Sequence, residues 1–284
     1  MIYKKIIPNK ILAPYVQSIW IQDNDSDASK IEFQPTTVLP ATNTEFIFHY
    51  KDPFIKIDNH NNVTLPKFLF CGQRTKPVYV KAAGKTGMII FNMSPFRVSS
   101  LINLNMSETV DSTIDFYDIF DSKILRETEE KFDEASDPLK KINIIGNFLI
   151  SILEDNKDDL LVSNISDKIN FNFGKIHISK IAKEYKISRR NLFRRFNNNF
   201  GVNPKQFSRI IRFQKALYLK KSGMPWADIC EKCNYYDQSH FIKEMKEFSG
   251  VSPDKITSLF NSTSLKKYFN SSSSLSHFYN TIYL

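Results

Sequence analysis

The stretch KISRRNLFRRF, residues 186–196, constrains the fold more than any other part of this 284-residue chain. It sits inside IHISKIAKEYKISRRNLFRRFNNNFG, where Ile181, Ala182 and Tyr185 define one apolar face and Lys186-Ile187-Ser188 interrupts it. Ser179 is a candidate cap for a first short helix. Ser188 can cap a second, running from Arg189 to the region of Asn197, with Leu192, Phe193 and Phe196 at apolar positions and Arg189, Arg190, Arg194 and Arg195 supplying charge. Two short, tightly joined helices, the second strongly basic, meet the requirements of a helix-turn-helix. Ala182 is small where the helices must pass closely, and Ile187 can close the core at the turn. Arginine suits the second helix because its rigid fork pairs with guanine O6 and N7 or clamps a phosphate. A membrane-surface helix would leave Ala182 and the capped turn without a role.

The plan recurs. In MPWADICEKCNYYDQSHFIKEMKEFSG, Trp226, Ile229 and Cys230 form one face, Asn234 can take the left-handed turn conformation, and Asp237 or Gln238 starts another helix. Phe241 corresponds to Leu192, 49 residues earlier. Between the units, PKQFSRIIRFQKALYLKKSG reads as one continuous helix with Pro204 in its first turn, a stripe of Phe207, Ile210, Ile211, Ala216 and Leu219, and Gly223 at its end. Such a spacer would let two readers enter successive major-groove turns, about 34–36 Å apart.

Charge supports the division. Residues 171–257 carry 18 Lys plus Arg against 7 Asp plus Glu, whereas the whole chain has a net charge of +9, so the rest is slightly acidic. A localised positive balance favours a polyanionic partner at that segment, without separating DNA from RNA or anionic lipid. Residues 111–160 hold six basic and fourteen acidic residues, poor material for DNA contact. Their apolar residues recur at helical steps, in TIDFYDIFDSKILRETEEKF and PLKKINIIGNFLISILEDN, which suits docking of the two halves, pairing of two chains, or internal packing.

Residues 1–105 read as short strands, IEFQPTTVLP, TEFIFHY, KFLFCG, PVYVKA and GMIIFNMSP, separated by Pro, Gly, Asn and Asp. Within them Glu45 and His49 share a strand face but lack further ligands at metal-binding intervals, and His60 lies in a polar turn. Cys71, Cys230 and Cys233 are too few for a disulfide framework. Cys230 and Cys233 form CEKC inside a predicted helix, where packing outranks redox or zinc chemistry. No apolar run approaches a membrane span, and the amino terminus carries no sustained apolar region; a cytoplasmic protein that does not enter membranes is the expectation.

The expected architecture is therefore α+β: a β-rich sensor or dimerisation domain (1–105), an acidic helical connector (106–165), an all-α domain with two helix-turn-helix units (172–257) and a Ser-rich aromatic tail (258–284). The stretch 161–174 reads as a linker or a short helix before a turn. YNTIYL at the end can dock on the body or on a partner.

The run Ile181, Ala182, Ser188, Arg190, Leu192, Arg194, Phe196, Gly201, Pro204, Phe207, Arg212, Ala216, Leu219, Ile229, Asp237 to Phe241, Lys243, Gly250, Ser252 and Pro253 resembles the AraC/XylS family of bacterial transcription regulators. The resemblance covers roughly residues 172–257. It implies a seven-helix domain that binds double-stranded promoter DNA and often recruits RNA polymerase. It places base-reading positions on Arg190, Phe193 and Arg194, and on Gln238, Ser239, His240 and Lys243. Arg189 and Arg195 are then expected to supply general phosphate attraction, and Phe193 either packs on a thymine methyl or joins the core. PYVQSIW, VLPATNTEFIFHY and LFCGQRTKPVYV resemble, more distantly, the family's cupin-like sensor region, implying a small-molecule effector or homodimerisation without assigning ligand-binding residues.

Two other classes stand beside a regulator. An RNA-binding or structural protein would call for aromatic stacking platforms or single-strand selectivity. An enzyme would need a convergent catalytic constellation; none is found, and no metal or cofactor site is assigned.

Overall fold

Alternation along the strands divides the amino-terminal part into faces. The computed structural model describes residues 2–25, 36–58, 61–94, 97–98, 101–153, 159–261 and 281–283. His60, the first half of IEFQPTTVLP and the serine run of the tail lie outside them. The strands are β1 (Ile2–Ile6), β2 (Val16–Asn24), β3 (Thr36–Val38), β4 (Glu45–His49), β5 (Phe54–Ile57), β6 (Val63–Thr64), β7 (Phe68–Cys71), β8 (Val78–Ala82), β9 (Thr86–Met93), β10 (Thr113–Asp115) and β11 (Thr281–Tyr283). All pair antiparallel, in the orders β1-β2-β9-β4-β7-β10 and β11-β3-β8-β5-β6. β10 falls inside the run expected to be helical: Thr113–Asp115 pair with Leu69–Cys71, a tertiary partner that outweighs local periodicity. β11 brings the chain's end back to the first domain, with Thr281 opposite Val38.

One face of the larger sheet presents Phe46, Phe48, Phe68, Phe70 and Phe91 to two helices, α1 (Ser122–Glu134) and α2 (Pro138–Ser151). Phe116, fully buried, stands edge-on to Phe46 at 5.0 Å and Phe48 at 5.2 Å, and Phe132 to Phe68 at 4.9 Å. Asp121 and Asp137 cap the helices through backbone N–H groups at 2.9–3.1 Å. The acidic connector thus packs internally, charged face outward. The sheet's other face, with Gln22, Glu45, Ile47, His49 and Ile90, meets Val38, Phe54, Val78 and Val80 of the second sheet around a cavity.

The carboxy-terminal part contains α3 (Leu160–Phe171), α4 (Ile178–Glu184), α5 (Arg189–Phe200), α6 (Pro204–Lys221), α7 (Trp226–Lys232), α8 (Gln238–Ser249) and α9 (Pro253–Asn261). Most of the segment read as a linker or short helix is α3. Val162, Ile165 and Ile169 make a stripe buried in the same cluster as Ile181, Leu192 and Phe196. α6 spans both units: Phe207 and Ile211 join the first core, while Ile210, Phe213, Ala216, Leu217 and Leu219 join the second. Its amino end is capped by Asn203, whose Oδ1 accepts from the N–H groups of Lys205 and Gln206 at 3.0 and 2.9 Å. No helix among the described residues is long and apolar enough to cross a membrane.

Candidate nucleic-acid interface

In the first unit the turn is closed by the Ile187 N–H donating to the Ala182 carbonyl at 2.9 Å, which draws a small residue into the helix crossing. Lys186 takes the left-handed conformation (φ 50°). Ser188 caps α5, its Oγ accepting from the Asn191 N–H at 3.2 Å, as the spacing predicts. Ser179 does not cap α4: the helix already begins at Ile178, after His177, which makes no side-chain capping bond. Leu192, Phe196 and Phe200 face the core, leaving Arg189, Arg190 and Arg194 exposed and Phe193 half-buried at the border. Arg194 Nη2 donates to Asn191 Oδ1 at 2.9 Å. Arg195, half-buried, is engaged by Asp159 of the α3 cap, with Nε donating to Oδ2 at 2.6 Å.

The second unit repeats these contacts. Tyr235 N–H closes the turn on the Cys230 carbonyl at 3.0 Å, Asn234 is left-handed (φ 59°), and Asp237 Oδ1 caps α8 by accepting from the His240 N–H at 2.7 Å. Gln238, Ser239, His240 and Lys243 are exposed. The two turns align at an offset of 48 residues, helices α5 and α8 at 49. Tyr236 is the extra residue, 92% exposed between turn and cap. Cys230 and Cys233 are free and buried; burial pushes the Cys233 thiol up to about 11, so neither is a ready thiolate at neutral pH. No cluster able to hold a metal ion occurs among the described residues.

Residues 181–258 match the family described as a helix-turn-helix domain. The carboxy-terminal unit is a helix-turn-helix domain. Residues 4–115 match a domain of unknown function, DUF6597. An uncharacterised HTH-type transcriptional regulator of Haemophilus influenzae is 31% identical over 80 residues, 28% of this chain and 27% of that protein. The HTH-type transcriptional regulator MtrA of Neisseria gonorrhoeae is 35% identical over 78 residues, 27% and 26% of the two chains. The chain therefore spans only about a quarter of the length of these curated relatives. Among solved structures, ToxT of Vibrio cholerae aligns over 90% of this chain and 97% of its own, at 11% identity and a TM-score of 0.48. A β-rich amino-terminal domain thus precedes the helix-turn-helix domain.

The β domain grips the helix-turn-helix domain at equivalent places. α5 and α8 each end on a left-handed glycine, Gly201 (φ 74°) and Gly250 (φ 76°). A Cβ on Gly201 would stand 2.5 Å from the Met106 carbonyl oxygen, where backbone leaves no room, and one on Gly250 2.3 Å from the Tyr79 hydroxyl; the positive φ favours glycine at both. Both contact segments continue into the cavity wall, through Val78 and Val80 and through Asp111 to Thr113. The cavity measures about 90 Å³. Inside it Glu45 and Arg74 form a buried ion pair, and His49 Nδ1–H donates to the Pro66 carbonyl at 3.0 Å. Burial pulls His49 down to about 4, so its ring is neutral near pH 7 and its Nε2 is an acceptor.

Sequence reasoning missed Asn191. It stands 49 residues before His240, at the same place on its helix, and it steers Arg194. Its signal in the sequence is the internal repeat, since an amide adds nothing to the charge pattern.

Proposed function

We propose that the chain is a sequence-specific, double-stranded DNA-binding transcription regulator that reads two successive major-groove segments with α5 and α8. The observation that carries this reading is the pair of capped helices presenting exposed donor-rich faces, Arg190 and Arg194 on one and Gln238, Ser239, His240 and Lys243 on the other, joined through an 18-residue helix. At ~1.5 Å per residue α6 is about 27 Å long, the right order for readers one DNA turn apart. Arg190 and Arg194 can fork onto guanine, Phe193 at the helix border can meet a thymine methyl, and Arg189 supplies phosphate attraction. The cupin-like reading of the β domain extends this to control by an effector. With Glu45 and Arg74 neutralising each other and His49 uncharged, the cavity suits a compact, neutral, largely apolar molecule bearing one or two hydrogen-bonding groups.

Selection of binding sites from random duplex and from single-stranded RNA pools tests the reading. Enrichment of a duplex with two short blocks about one helical turn apart is the expected result. Equal retention of all duplexes, or preference for the RNA pool, would overturn it in favour of a nonspecific or RNA-binding role.

A further inference from the structure

At the 49-residue offset that aligns the reading helices, Arg195 of α5 and Glu244 of α8 occupy the same position. Their charges are opposite, yet both are committed to ion pairs with the helix that precedes their unit. Arg195 grips both oxygens of Asp159, and Asp159 also caps α3 by accepting from the Val162 N–H at 3.1 Å. Burial raises Asp159, but hydrogen bonds from Arg195 and Val162 override it and hold the carboxyl below its ordinary range. Glu244, with a side chain 1% exposed, accepts from Arg209 Nε at 2.8 Å and from Arg212 Nε and Nη2 at 3.1 and 2.9 Å. The two α6 guanidinium groups also lie over rings of the second unit, Arg209 over Phe248 at 4.9 Å and Arg212 over Tyr235 at 4.4 Å. His240 Nε2 stands 3.8 Å from Glu244 Oε2.

We infer that Arg195 and Glu244 are positioning residues that fix the rotation of the two reading helices, and that neither contacts DNA. A phosphate-binding position cannot be filled by arginine in one unit and glutamate in the other; a position that anchors each helix to its neighbour can. One helical residue is about 100° of rotation, so this position lies a full step around the barrel of the helix from Arg194 and Lys243. Arg195 therefore leaves the count of DNA-facing cations. Glu244, matched by two arginines, presents no unpaired carboxylate to a phosphate backbone. The inference rests on the DNA-binding reading.

Its test uses the full chain and a selected two-block duplex, with affinity measured across salt concentration. Arg195→Ala and Asp159→Ala should each weaken first-block recognition about tenfold, and the double variant should be no worse than either, because both remove one anchor. The slope of log affinity against log salt should stay that of the wild type. Asp159→Asn, which keeps an oxygen to cap α3 but removes the charge that holds Arg195, should weaken the first block as Arg195→Ala does, a loss that damage to the cap would not explain. Glu244→Gln should weaken the second block and spare the first. If instead Arg195→Ala lowers the salt slope by about 0.9 while Asp159→Ala leaves affinity unchanged, Arg195 is a phosphate contact and the inference fails. Wild-type affinity in Asp159→Asn overturns it as well. A wild-type chain indifferent to duplex sequence removes the DNA-binding reading, and the inference with it.

Discussion

The two helix-turn-helix units share a turn closure, a cap and a terminal glycine, and differ in what surrounds them. The first has a core of its own, built from α3 to α6 with Val110 as the one partly buried aliphatic neighbour from the preceding segment. The second belongs to a buried cluster that also contains Trp20, Leu39 and Ile90 of the β domain, with Ile47 and Met88 of the cavity wall packed against it. Their exposed faces differ too, three arginines on α5 against Gln238, Ser239, His240 and Lys243 on α8. The difference is one of coupling: the first unit meets the β domain through the Met106–Val110 segment at Gly201, whereas the second also shares a buried core with it.

The largest way to break that contrast is to excavate each core. Phe196→Ala and Phe248→Ala remove fully buried rings and should each cost about 3–5 kcal/mol. Hydrogen exchange should then rise across α3 to α5 but not β9 for Phe196→Ala, and across α7, α8 and strand β9 for Phe248→Ala. Equal protection of β9 in both variants would deny the continuity.

Acid gives the next effect. The folded His49 ring resists protonation, whereas the unfolded chain accepts a proton near the ordinary value of 6.5. Stability is therefore complete above pH 6.5 and is lost as pH falls toward 4, by about 3 kcal/mol in all. Denaturation between pH 7.5 and 4.5 should show the β domain and second unit weakening together, and His49→Gln should flatten the profile. The Asp159 pair behaves otherwise: its contribution to the first unit persists above the ordinary carboxylate value of 3.8 and fades only as pH falls through the lowered one. Acid should thus strike the second unit before the first.

The smallest effect sharpens the cationic half of the contrast. Arg189→Ala should weaken every duplex alike, by less than about 1 kcal/mol at moderate salt, and reduce the salt slope by about one. A change confined to one sequence block would make Arg189 a base reader.

Much of this was legible because it is local. Ser188 and Asp237 announce their helices by cap chemistry, α6 is bracketed by Pro204 and Gly223, and Asn234 is a residue type that tolerates the left-handed turn. Long-range features were less visible. α3 hides Val162, Ile165 and Ile169 among Asn, Ser and Asp, and only packing against Leu192 and Phe196 explains the stripe. Lys186 is an unexpected left-handed residue; the closure of Ile187 on Ala182 imposes it. Arg195 resembles its arginine neighbours in sequence, and its partner lies 36 residues away. The cavity is long-range as well: Glu45 and His49 share β4, but Arg74 reaches Glu45 from beyond β7, and Val38, Phe54, Val78 and Val80 come from the second sheet.

Binding-site selection repeated with Arg190→Ala and with His240→Ala tests the two-part reader most directly. The account predicts that Arg190→Ala loses the first block and keeps the second, that His240→Ala does the reverse, and that each costs about 1–3 kcal/mol at its own block. Loss of both blocks together in either variant, or of neither, would contradict it.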